Sequence, residues 1–197
     1  MSDPSRAAER PRQAIVFTGH MVDAPDRALP RFPPGLVAAA AVRIEAALAA
    51  IDAGPRDVAF TQGAAGGDLL FAEACLARGV PLRLLLPLAE NEFVARSLAP
   101  VIDGDAWCAR YRAVVARLSS APSEAPHELG ALAVGEDPFV RGNLWLLASA
   151  RAAGAERLCC ICLWDGGGGD GPGGTRHLVE AVRAAGGRVV RIDTHSL

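Results

Sequence analysis

Between Asp57 and Leu86 the chain spells out a complete βαβ unit, and this stretch restricts the possible folds more than any other. Asp57 to Thr61 is a short apolar run, Gly63 to Gly67 a tight turn, and Asp68 to Arg78 a helical segment stopped by Gly79. Pro81 to Leu86 is a strand built mainly of leucine. Two strands joined through a crossover helix run parallel, with a right-handed connection.

The same alternation extends in both directions. Gln13 to Thr18 reads as a buried strand ending at Gly19, followed by a loop from His20 to Gly35 that contains four prolines. Leu36 to Ala53 is an Ala-rich helix ended by Gly54-Pro55. Beyond Pro87 the spacing predicts helices around Glu92 to Leu98, around Asp105 to Leu118 and over Pro138 to Ala153. A strand from Leu158 to Trp164, a helix from Thr175 to Ala185 and a last strand from Arg188 to Ile192 complete the chain. Residues 119–136 carry no legible pattern. The fold expected is α/β, a Rossmann-like, doubly wound, mainly parallel sheet of about five strands in a single domain over 13–197. Residues 1–12, polar and aperiodic, are expected to form a disordered tail. With 197 residues, 51% of them hydrophobic, the chain is long enough to bury one core.

Composition removes several function classes. The formal net charge is −2 and no run of Lys and Arg interleaves with aromatics, so a nucleic-acid partner is not expected. No uncharged apolar run approaches the ~20 residues that span a bilayer, and the polar N-terminus offers no signal-peptide core, so no membrane partner is expected. Five cysteines without paired CxxC spacing suggest free thiols in a cytoplasmic protein. Cys159, Cys160 and Cys162 lie in an apolar strand and read as core rather than metal ligands. No metal set or cofactor is expected, and no serine-hydrolase, zinc-protease or Walker motif is present.

In an open parallel sheet, ligands bind beyond the carboxyl ends of the strands, and three turns fall there. At the first, Gly19 permits close backbone approach, and His20 is either a donor to a ligand or a structural histidine. Asp23 and Arg27 follow; either Arg27 or Arg31 meets a phosphate and Asp23 a ribose hydroxyl, or they form a surface ion pair. At the second turn, Gly63, Gly66, Gly67 and Asp68 open a helix whose dipole and amides suit an anion. Asp68 is read as a ligand contact or a helix cap. Glu73, further along, faces the pocket or else solvent or a salt bridge. The third turn, from Asp165 through Gly173, Gly174 and Thr175, is a binding loop or a flexible connection, with Thr175 as phosphate donor or N-cap.

The segments Val16-Phe17-Thr18-Gly19-His20, Gly66-Gly67-Asp68 with Glu73-Ala74, and Gly171-Pro172-Gly173-Gly174-Thr175 resemble the SLOG superfamily of Rossmann-like domains, over about residues 13 to 195. That superfamily includes the Lonely Guy phosphoribohydrolases and the DprA and YpsA-type proteins. The chain is most similar to SLOG-type segments beside cyclase and repeat domains in bacterial signalling proteins. The resemblance implies binding or sensing of a nucleotide-derived, phosphate-bearing small molecule, such as a nucleotide or an ADP-ribose-like signal, by a homodimer. Its alternative implication is a nucleoside 5'-monophosphate N-glycosidase that releases a free base. Three positions beyond Thr175 stands Leu178, and the nearest acid is Glu180, so the Lonely Guy catalytic glutamate has no direct match. Among Glu73, Asp68, Asp165 and Asp170, Glu73 is the catalytic carboxylate chosen if the chain is an enzyme.

Overall fold

The computed structural model describes residues 10–168 and 171–197. Its strands are β1 (Gln13–Gly19), β2 (Val58–Thr61), β3 (Leu82–Leu86), β4 (Ser123–Glu124), β5 (Arg157–Leu163) and β6 (Arg188–Ile192). The helices are α1 (Val37–Ala50), α2 (Gly67–Ala77), α3 (Glu90–Ser97), α4 (Gly104–Val115), α5 (Ala125–Leu129), α6 (Pro138–Ala152) and α7 (Thr175–Ala184). The strands form one sheet in the order β4-β3-β2-β1-β5-β6, with every neighbouring pair parallel.

The near-continuous apolar character of β1 follows from burial on both faces. Ile15 and Phe17 point into a core shared with residues of α1, α2 and α4, and Phe17 stacks on Phe71 with ring centroids 4.7 Å apart. Ala14 and Val16 point the other way, into a core closed by Leu146, Leu147 and Ala150 of α6 and by Leu178, Val179 and Val182 of α7. In α1 the buried residues Ala40, Ile44, Ala47 and Leu48 make one helical stripe, as the sequence spacing predicts. Cys159, Cys160 and Cys162 are buried in β5, as core residues.

One difference from the sequence expectation has a local cause. The sheet has a sixth strand, β4, only two residues long and lacking any apolar alternation; it is held by pairing Leu85 with Ser123 and Leu86 with Glu124. Such an edge strand leaves no periodic trace in sequence. Arg12 reaches the buried Asp57 carboxylate at 2.9 Å, and Asp57 also accepts from the Gln13 amide and the Gly54 N–H. Burial works against ionisation of Asp57, but these donors hold its carboxyl below the usual range. Residues 1–9 of the expected tail lie outside the described residues. Among the described residues no helix is long and apolar enough to cross a membrane.

The backbone packs closely where α2 begins. Gly66 has φ +105°, and a Cβ there would stand 2.8 Å from the Val22 nitrogen and 2.9 Å from the His20 carbonyl oxygen. A positive φ costs a non-glycine residue on the order of 1–3 kcal/mol before any clash. Gly66→Ala is therefore expected to lower unfolding stability by about 2 kcal/mol or more, read as a drop in the urea midpoint at unchanged m.

Candidate functional site

The strand order reverses beside β1. The chain moves outward through β2, β3 and β4, then returns to the other side of β1 as β5. Connections on either side diverge and leave a crevice at the carboxyl ends of β1 and β5. The His20 N–H closes its floor by donating to the Leu163 carbonyl at 2.9 Å. A cavity of about 540 Å³ opens there, of the size that takes a small organic ligand. Gly19 and His20 line it from β1, Gln62 and Asp68 from the β2 side, Phe139 and Asn143 from α6, and Gly173, Gly174 and Thr175 from the loop after β5. Arg27, Arg31 and Arg96 supply its cations.

The first turn is built around His20, whose side chain is 5% exposed. Its Nε2 accepts the Asp165 N–H at 3.1 Å and lies 3.2 Å from Asp165 Oδ1. Burial pushes the imidazole pKa down; Asp165 opposes this and the charges of Arg31 and Arg27 add to it. A backbone donor at Nε2 and a depressed pKa both favour the neutral ring with its proton on Nδ1. Burial also disfavours the Asp165 anion, but the Gly167 N–H at 2.7 Å and the charge of Arg31 hold its carboxyl below the ordinary range.

The second turn serves a different purpose from the one its glycines suggest. The N–H of Gly67 donates to the His20 carbonyl at 3.1 Å, and Gly66 forms an isolated antiparallel bridge with Met21. The positive end of α2 is thus occupied by the chain's own backbone, and Gly63, Gly66 and Gly67 do not line the cavity. These glycines admit the crossing segment His20–Val22. Asp68 does not cap the helix either. The N-cap is Gly66, and Asp68 Oδ2 reaches back to accept the Gly63 N–H at 3.1 Å. Asp68 does line the cavity, and its burial raises the carboxyl pKa to about 6 against the pull of neighbouring amides.

The third turn is open to the cleft. The N-cap of α7 is Gly174, without a side-chain cap, so Thr175 is the first helical residue rather than the cap. A helix start without a side-chain cap presents amide donors and the positive end of its dipole. A Cβ at Gly173 would lie 2.5 Å from Phe139 Cβ, so the loop presses directly on the start of α6. Asn143 holds it there: Nδ2 donates to the Gly173 carbonyl at 2.8 Å, and Oδ1 accepts from Gln62 Nε2 at 3.0 Å. Asn143 and Gln62 escape sequence reasoning. The available signal is a polar residue on the same helical face as Leu146, Leu147 and Ala150, a position otherwise reserved for core.

The remaining candidates divide. Asp23 accepts from the Arg31 and Phe32 N–H groups at 3.1 Å and pairs with Arg27 Nε at 3.2 Å. It is the ion-paired organiser of the proline-rich loop, and it does not line the cavity that Arg27 and Arg31 line. Glu73 is not brought to the cleft. Arg110 binds it through two hydrogen bonds, at 2.8 and 2.5 Å, and lies over the Trp107 ring at 4.3 Å. The salt-bridge alternative for Glu73 is the one observed. Asp165 stands behind His20, and Asp170 lies outside the described residues.

Two measurements check this electrostatic arrangement. Long-range ¹H–¹⁵N spectra are expected to show His20 as the neutral Nδ1–H tautomer at pH 7, titrating below 6.5. Asp68 binds its proton more tightly folded than unfolded, so its contribution is fully present below pH 3.8 and is lost as pH rises through about 6. Asp68→Asn is therefore expected to gain stability relative to wild type between pH 4 and pH 7, by up to about 3 kcal/mol, in denaturation curves at the two pH values. Compared with known proteins, the chain matches no family model and has no significant match among curated proteins.

Proposed function

We propose that this chain binds a nucleotide-derived, phosphate-bearing small molecule in the crevice between β1 and β5. One observation carries the reading: three arginines line the crevice together with the start of α7, which has no side-chain cap. Clustered guanidinium groups beside free helix amides favour a compact anion such as phosphate. Phe139, under the Arg96 guanidinium at 5.2 Å, and Trp164 add flat apolar surface suited to a base. The resemblance of the Gly19-His20 and Pro172-Gly173-Gly174-Thr175 segments to SLOG domains supports the same ligand class. It also supports a sensing role rather than turnover, since the acid favoured for N-glycosidic hydrolysis, Glu73, is bound to Arg110.

Calorimetry with 5'-AMP, ADP-ribose and unphosphorylated adenosine tests the reading. The phosphate-bearing ligands are expected to bind at least about tenfold more tightly than adenosine, and Arg31→Ala is expected to remove most of that difference, the effect of losing one charged contact. Absence of binding by any phosphate-bearing ligand would exclude the proposal. Free base measured in the same samples reports any hydrolysis.

A further inference from the structure

The carboxylates on the cleft wall are used within the protein. Asp137 caps α6, accepting the N–H groups of Phe139 and Val140 at 2.8 and 2.9 Å. Asp68 is buried among the amides of Gln62, Gly63 and Ala64. His20 and Gln62 differ. Both line the cavity, and each keeps one side-chain polar atom, Nδ1 of His20 and Oε1 of Gln62, that meets no partner among the described residues. They stand one residue beyond the ends of β1 and β2, neighbouring parallel strands about 4.8 Å apart.

Main-chain groups set the polarity of both atoms. A backbone N–H can only donate, so Nε2 of His20 accepts that of Asp165 at 3.1 Å and the neutral ring carries its proton on Nδ1. With the side chain 5% exposed, Nδ1–H is a nearly buried donor. A carbonyl can only accept, so Asn143 turns Nδ2 toward that of Gly173, at 2.8 Å, and Oδ1 toward Gln62. Gln62 meets Oδ1 through Nε2 at 3.0 Å, which leaves its Oε1 as an acceptor. Neither group reverses without breaking one of these bonds.

The complementary ligand sets an acceptor against Nδ1–H and a donor against Oε1. Phe139, one helical turn before Asn143 on α6, puts flat apolar surface beside this pair. Adenine and cytosine carry an amino group next to an unprotonated ring nitrogen, a donor beside an acceptor. Their oxo counterparts, hypoxanthine and uracil, carry a carbonyl next to a ring N–H, the opposite pattern. An oxo base matches the pair only if it turns over, which a phosphate anchored at the start of α7 opposes. We propose that His20 and Gln62 read the base of the bound nucleotide and select amino bases over their oxo counterparts. This rests on the nucleotide-binding reading above. A site built to hydrogen-bond a ligand group rejects the analogue that leaves its polar atoms unpaired more strongly than shape alone allows.

Calorimetry on the full chain decides it, with the pairs 5'-AMP and 5'-IMP, 5'-CMP and 5'-UMP, and with ribose 5-phosphate as the probe lacking a base. Wild type is expected to bind the amino member of at least one pair about tenfold or more tightly than its oxo partner. Gln62→Met, which keeps the length and removes the acceptor, is expected to bring that pair within about threefold. In wild type the His20 Nδ1–H resonance is expected to shift with the amino nucleotide and not with ribose 5-phosphate. Equal binding within both pairs, or binding of ribose 5-phosphate without any nucleotide, overturns this inference and leaves phosphate binding standing. A preference that persists in Gln62→Met overturns the role of Gln62, and an Nδ1–H resonance that responds alike to both ligands overturns that of His20. Binding by none of the five overturns the phosphate reading and this inference with it. The wild-type comparisons stand even if the variant does not fold.

Discussion

The parallel pairing of β1 with β5, running from Gln13 with Arg157 to Gly19 with Leu163, is the contact on which the rest depends. It joins segments about 140 residues apart in sequence and places the return of the chain beside its start. Because β2 already occupies the other edge of β1, the connections that leave β1 and β5 must diverge. The crevice is a consequence of that reversal and needs no special residue to open it. Gly19 and Leu163 bring the two tips level, and the His20 N–H then continues the ladder by one bond to the Leu163 carbonyl.

What fills the crevice is governed by the cost of burying polar groups without partners. The start of α2 is satisfied internally by the His20 carbonyl, so this helix offers little to a ligand. The start of α7 lacks a side-chain cap and stays open on the cleft. The carboxylates follow the same division. Asp23, Asp137 and Asp165 each organise a loop or a helix start, and Asp68 is buried at the cavity wall among the amides of the second turn. A charge held in such a position costs stability.

Glycine density was a sound guide to where backbone comes close and a poor guide to what comes close. Gly66-Gly67 and Gly173-Gly174 look alike in sequence, yet one pair admits the crossing segment His20–Val22 and the other packs on Phe139 while leaving α7 open. The distinction depends on a segment more than forty residues upstream in the first case and thirty upstream in the second. Asn143 and Gln62 were illegible for a related reason: each is an ordinary polar residue until the hydrogen bond to Gly173 makes them a tether. Glu73 could face either way from helical spacing alone, and the partner that decided it, Arg110, lies on another helix.

The order of apolar strands and helices, and with it the parallel α/β architecture, was determined by the chain locally, because hydrophobic periodicity and glycine stops act over a few residues. The short edge strand Ser123–Glu124, the closure of one glycine turn and the opening of another, and the placing of Asp68 but not Glu73 on the cleft wall were decided only by tertiary structure. Each depends on groups distant in sequence competing for the same hydrogen bonds, and no local pattern records the outcome of that competition.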